Sequence, residues 1–115
     1  MASFSRSGDL YGVSLITGPS SALVRLRFSD NHGSLPSVVV LGPDERYGNP
    51  TDAHVASTVA DAVQQANDNC GTEFVVTEVH YKCDNDCKCA LIRRAAYIIV
   101  RRRVEVADAD FAGAA

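Results

Sequence analysis

Ala90-Leu91-Ile92-Arg93-Arg94-Ala95-Ala96-Tyr97-Ile98-Ile99-Val100-Arg101-Arg102-Arg103-Val104 is the stretch on which the fold turns. Local propensity favours a strand, because Tyr97-Ile98-Ile99-Val100 is aromatic and β-branched. Period decides otherwise. As a strand, Arg93 and Arg101 fall on one face and Arg94 and Arg102 on the other, each among apolar residues. As a helix, Leu91, Ile92, Ala95, Ile98 and Ile99 form one apolar stripe. Arg93, Tyr97 and Arg101 then line a second stripe at i, i+4 and i+8, with Arg94 beside them. The stretch reads as an amphipathic helix.

Upstream, residues 72–82 alternate as a strand. Val75, Thr77, Val79 and Tyr81 share one face; Phe74, Val76, Glu78, His80 and Lys82 share the other. The second face turns polar toward its end. Before it, Asn49-Pro50-Thr51-Asp52 opens a helix. Asn49 suits the cap, Pro50 the first helical position, and Asp52 the reciprocal place in a capping box. Val55, Ala56, Val59, Val63 and Ala66 follow at helical spacing, and Gly71 fits a left-handed C-cap.

Three strands precede that helix. Residues 10–17 and 22–28 alternate apolar and polar, the second more cleanly, and Gly18-Pro19-Ser20-Ser21 joins them as a four-residue hairpin connection. Residues 35–41, with Val38-Val39-Val40, read as a third strand flanked on both sides, with Pro36 at its start. The order is β-β-β-α-β-α, an α+β domain with a four-stranded sheet and two helices on one face. Residues 1–8 read as a disordered, serine-rich leader, 9–105 as the single domain, and 106–115 as a fraying tail.

Composition is that of an ordinary globular domain, 46% apolar and 22% charged. No run of about 18 apolar residues occurs, so no membrane partner is expected. No signal-peptide pattern opens the chain. The expected location is cytoplasmic, with reduced thiols. Net charge is −3, unevenly spread. Residues 1–81 carry four arginines against nine carboxylates, residues 82–103 carry seven cations against Asp84 and Asp86, and residues 104–115 carry three carboxylates. A basic segment on an acidic chain points to a polyanion partner or to a solvated helix face whose arginines suit the helix dipole.

The densest chemistry is His80-Tyr81-Lys82-Cys83-Asp84-Asn85-Asp86-Cys87-Lys88-Cys89. His80, Cys83, Cys87 and Cys89 make four soft or borderline donors, enough for a tetrahedral zinc site. The tight Cys87-x-Cys89 pair also suits thiolate clusters or Cu(I). A Cys83–Cys87 or Cys83–Cys89 disulfide and a reactive thiol at a helix N-terminus are the competing readings. No complete catalytic constellation is visible, so binding is expected rather than catalysis.

The element order and this tip resemble domain IV of the translocating elongation factor G, within the ribosomal protein S5 second-domain-like fold. The likeness spans roughly residues 50–103. Asp84-Asn85-Asp86-Cys87 falls where that family carries Asp-x-Asp-Ser, and Ala95-Ala96 where its helix carries paired alanines. The family's tip histidine aligns with Cys83, whereas His80 lies on the strand. No P-loop occurs in this sequence, which excludes P-loop GTPase activity for it. The resemblance implies the fold and contact with structured RNA or the ribosome. On that reading Arg93, Arg94, Arg101, Arg102 and Arg103 supply phosphate contacts and Tyr97 a stacking surface. The alternatives are a zinc-binding or redox-responsive protein and a subunit of a protein assembly.

Overall fold

The computed structural model of the protein describes residues 2–17, 20–29, 36–41, 51–84 and 89–112, with positions 17, 20, 83 and 84 described by their backbone. Five strands and two helices follow in the order β1 (Ala2–Ser7), β2 (Leu10–Thr17), β3 (Ser20–Ser29), β4 (Ser37–Val40), α1 (Asp52–Cys70), β5 (Val75–Asp84) and α2 (Cys89–Glu105). The strands form one sheet ordered β1-β2-β3-β5-β4. Every pairing is antiparallel except β4 with β5, which α1 connects. α2 lies over β2 and β3, and α1 over β4 and β5, with the helices packed against each other.

The sheet has one strand more than the sequence suggested. Residues 1–8 were expected to be irregular, yet Ala2–Ser7 pairs with β2. Serine-rich composition hides a period of two: Ser3, Ser5 and Ser7 share one face, while Phe4 and Arg6 stand opposite the buried Val13 and Tyr11. Gly8-Asp9 closes the hairpin, and Gly8 takes φ 62, where a side chain would be strained. The tail departs from expectation too. A 3₁₀ turn, Asp108–Asp110, brings Phe111 to full burial.

Smaller corrections have local causes. Thr17 pairs with Ser20, so the β2–β3 connection is two residues, not four. β4 is an edge strand rather than a flanked one, and its Val39 is 39% exposed. Strict alternation in β5 fails at Thr77. Arg27 faces Glu78 but Phe28 faces Val76, so Thr77 is the extra residue of a bulge. Val76, Val79 and Tyr81 are therefore the residues buried beneath the helices. The cap of α1 is Thr51, whose Oγ1 accepts from the His54 N–H at 3.1 Å. Asn49 and Pro50 lie outside the described residues.

The last stretch is a helix, as its period predicted, but the buried stripe is shifted: Ile92, Ala95, Ala96, Ile99 and Val100 are buried, whereas Leu91 and Ile98 are half-buried at its edges. Alanines let the helices approach closely: Ala62, Ala66, Ala95 and Ala96 are all fully buried. Gly71 takes φ 68 and ψ 37 and ends α1 as expected. Its N–H and that of Thr72 both donate to the Asn67 carbonyl. Among the described residues no helix is long and apolar enough to cross a membrane.

Candidate nucleic-acid interface

Helix α2 carries the proposed cations, and their neighbours divide them into groups. Near the N-terminal end, Arg93 turns toward α1. It donates to Asp61 Oδ2 at 3.0 Å and to Gln65 Oε1 at 3.4 Å. Its charge is largely committed within the fold. Arg94 is exposed and has no hydrogen-bond or ion-pair partner among the described residues.

One turn on, α2 passes beside β1 and leaves an open groove of about 310 Å³. Phe4, Tyr97, Ile98, Arg101, Arg102 and Glu105 line it. Helical spacing puts Tyr97, Arg101 and Glu105 in one row, each four residues from the next. The Arg101 guanidinium lies 6.0 Å from the Tyr97 ring centroid and pairs with Glu105 at 3.2 Å. The Tyr97 hydroxyl accepts from Asn69 Nδ2 at 2.8 Å, which fixes the ring against the end of α1. Across the groove, the Arg102 guanidinium sits 4.7 Å from the Phe4 ring centroid. Two aromatic rings and two guanidiniums thus share one apolar-floored channel. Such channels hold nucleic acid by stacking bases on rings and tracking phosphates with cations.

Arg103 points elsewhere. Its guanidinium lies 4.2 Å from the Tyr11 ring centroid, 4.6 Å from Phe74 and 5.0 Å from Phe28. Asp108 stands 3.7 Å away, and the Arg103 side chain is only 17% exposed. In this arrangement it is a structural cation and not a surface one. Of the six residues the sequence nominated, the groove unites Tyr97, Arg101 and Arg102. Arg93, Arg94 and Arg103 lie apart from it.

The groove also contains a residue that charge and spacing on α2 did not nominate. Phe4 comes from β1, and its only signal was the Phe4–Arg6 alternation within the serine-rich opening.

The metal candidates are less complete. Cys87 lies outside the described residues, and Cys83 is described by its backbone, paired with Ala22. Cys89 is a half-buried free thiol at the first position of α2, and Cys70 another at the end of α1. No group of three or more metal-ligating side chains occurs among the described residues. His80 lies on the open face of the sheet, with Nε2 2.6 Å from Glu78 Oε1. An ionised carboxylate only accepts, so Nε2 carries the proton and donates. A metal taken by that nitrogen would have to break the contact.

Around this pair a small ionic network crosses the open face. Arg27 bridges Glu78 and Asp9, the latter at 3.1 Å. The hydrogen bond from His80 holds the Glu78 carboxyl below its ordinary value; partial burial opposes this, and the Arg27 charge reinforces it. Beside it, Arg25 lies over Gly12, where an added Cβ would come within 2.9 Å of Arg25 Cγ and 2.8 Å of Ser5 Oγ.

No family model, curated protein or solved structure matches this chain significantly.

Proposed function

We propose that this chain is an RNA-contacting domain that works by binding, with the groove between β1 and α2 as its contact surface. One observation carries the reading: Phe4 and Tyr97 present rings beside the Arg101 and Arg102 guanidiniums in one open channel. The resemblance of residues 50–103 to domain IV of elongation factor G points the same way, toward structured RNA or the ribosome. Arg94, exposed one turn away, extends the positive surface. The fitting ligand is a folded RNA with an unpaired loop, because unpaired bases can leave their stack and lie on aromatic rings.

The test is fluorescence anisotropy with a labelled RNA hairpin, repeated across a salt series. Wild-type affinity should fall as salt rises, because phosphate contacts release counterions. Tyr97→Ala should weaken binding by about 1–3 kcal/mol, the usual worth of a base on an aromatic ring. Arg101→Ala should also flatten the salt slope by about 0.7–0.9. Unchanged affinity in a folded variant lacking Arg94, Tyr97 and Arg101 together would sink the proposal.

A further inference from the structure

The segment after α2 packs beside the groove, against Arg102 and Phe4 of its lining, and engages the cations there. Arg102 donates from Nε to the Phe111 carbonyl at 3.2 Å and from Nη2 to the Asp110 carbonyl at 3.3 Å. Arg6 donates to the Asp108 carbonyl at 2.9 Å, and Arg103 faces the Asp108 carboxylate. The Phe111 ring fits edge-on between two others, 4.9 Å from Tyr11 and 5.6 Å from Phe4 by centroid. Phe4 and Arg102 therefore belong both to the groove and to the seat of this segment.

Its hold on the domain is narrow. Across residues 106–112, Phe111 is the one buried residue, and Ala107, Asp108, Ala109 and Asp110 are exposed. A segment with one buried side chain, held otherwise by contacts near the surface, belongs to the less stable part of a fold and opens locally more often than the core.

We propose that residues 106–111 form an autoinhibitory strap, which holds Arg6, Arg102 and Arg103 away from RNA until RNA displaces it. The inference rests on the RNA reading above. The strap offers these arginines carbonyl oxygens and a carboxylate, the same acceptor chemistry that phosphates supply. When it lifts, the seat of Phe111 exposes Phe4 and Tyr11 beside three released guanidiniums. The groove then lengthens into a stacking surface with added cations. RNA that binds the lifted state favours lifting, and any change that weakens docking strengthens RNA binding by the same factor.

The experiment compares wild type, Phe111→Ala and Asp108→Asn with the labelled RNA hairpin, across salt. For a strap open about a tenth of the time, Phe111→Ala should bind about tenfold more tightly. Its salt slope should steepen by about 0.7 for each additional phosphate contact. Asp108→Asn should move affinity the same way by a smaller factor. Equal affinity and equal slope in wild type and folded Phe111→Ala would overturn the strap and leave the RNA reading standing. Absence of binding by every variant would overturn both. Should Phe111→Ala fail to fold, the wild type decides through amide hydrogen exchange. The Asp110 and Phe111 N–H groups donate to Ala107 and Asp108 carbonyls in the docked strap. Saturating RNA should speed their exchange; unchanged or slower exchange would overturn the proposal.

Discussion

Among the described residues Asn67 is the buried polar residue of the core, and both its amide nitrogen and its amide oxygen are hydrogen-bonded. Nδ2 donates to the Phe74 carbonyl at 2.8 Å, and Oδ1 accepts from the Phe74 N–H at 3.0 Å and the Thr72 hydroxyl at 2.9 Å. One amide thus substitutes for a strand partner where the chain leaves α1 and enters β5. Asn67→Ala removes a donor and an acceptor together and leaves the Phe74 backbone groups half-buried and unpaired. The expected loss is about 1–3 kcal/mol of stability, measured by urea denaturation. A change below about 0.5 kcal/mol, the range of an ordinary surface substitution, would contradict that account. The arginines show the same dependence on distant partners. Charge on α2 was legible from composition, but Arg93 finds Asp61 thirty-two residues upstream. Arg103 finds rings from β2, β3 and the residue just before β5. No local pattern distinguishes a guanidinium that meets solvent from one that meets Tyr11, because the difference lies in tertiary neighbours.

Elements were legible where one face is buried and the other wet. β2 and β3 read correctly because the buried Tyr11, Val13 and Leu15, then Ala22, Val24 and Leu26, recur at every second position, with the half-buried Ser14, Leu23 and Arg25 between them and the buried Gly12 as the exception. α2 read correctly against its own propensity because a strand would have placed arginines on both faces. β1 escaped because its buried face consists of one partly buried ring, Phe4, and one arginine. The cap of α1 escaped for a different reason. Asn49-Pro50 and Thr51 are both acceptable helix starts, and a difference of two residues is within the ordinary ambiguity of helix ends. The structure selects Thr51, with φ −68 and ψ 157 and a hydroxyl bonded to the third residue beyond it. Thr51→Ala should therefore cost about 0.5–2 kcal/mol, whereas Thr51→Asp should cost little because its carboxylate caps equally well. Equal denaturation midpoints for wild type and Thr51→Ala would remove Thr51 from that role.

At the scale of the molecule, the sheet separates two surfaces with different chemistry. Helices seal one face, and the groove lies at its β1 side. No described helix covers the other face, which is bound together by Asp9, Arg27, Glu78 and His80, joining the β1–β2 turn to β3 and β5. The network makes stability depend on pH through Glu78. Its carboxyl lies below the ordinary 4.5 because His80 and Arg27 favour the ionised form. A carboxyl whose value is lower when folded contributes stability above its unfolded value and loses it as pH falls through the folded one. The wild type should therefore exceed Glu78→Gln in stability near neutral pH, and the advantage should shrink as pH falls below about 4.5. Urea midpoints for both proteins, taken from about pH 7 down to about pH 3, read the difference directly. Parallel curves would mean that the contacts among these charges contribute nothing net. The gap is expected to be modest, because Glu78 keeps a quarter of its side chain in solvent and Arg27 more than a third. Because the network lies on the sheet face opposite the helices, Glu78→Gln should leave RNA affinity at the groove unchanged while it alters the acid limb of stability. That separation would tie the pH response to the Glu78 network and the proposed salt-dependent RNA contact to α2.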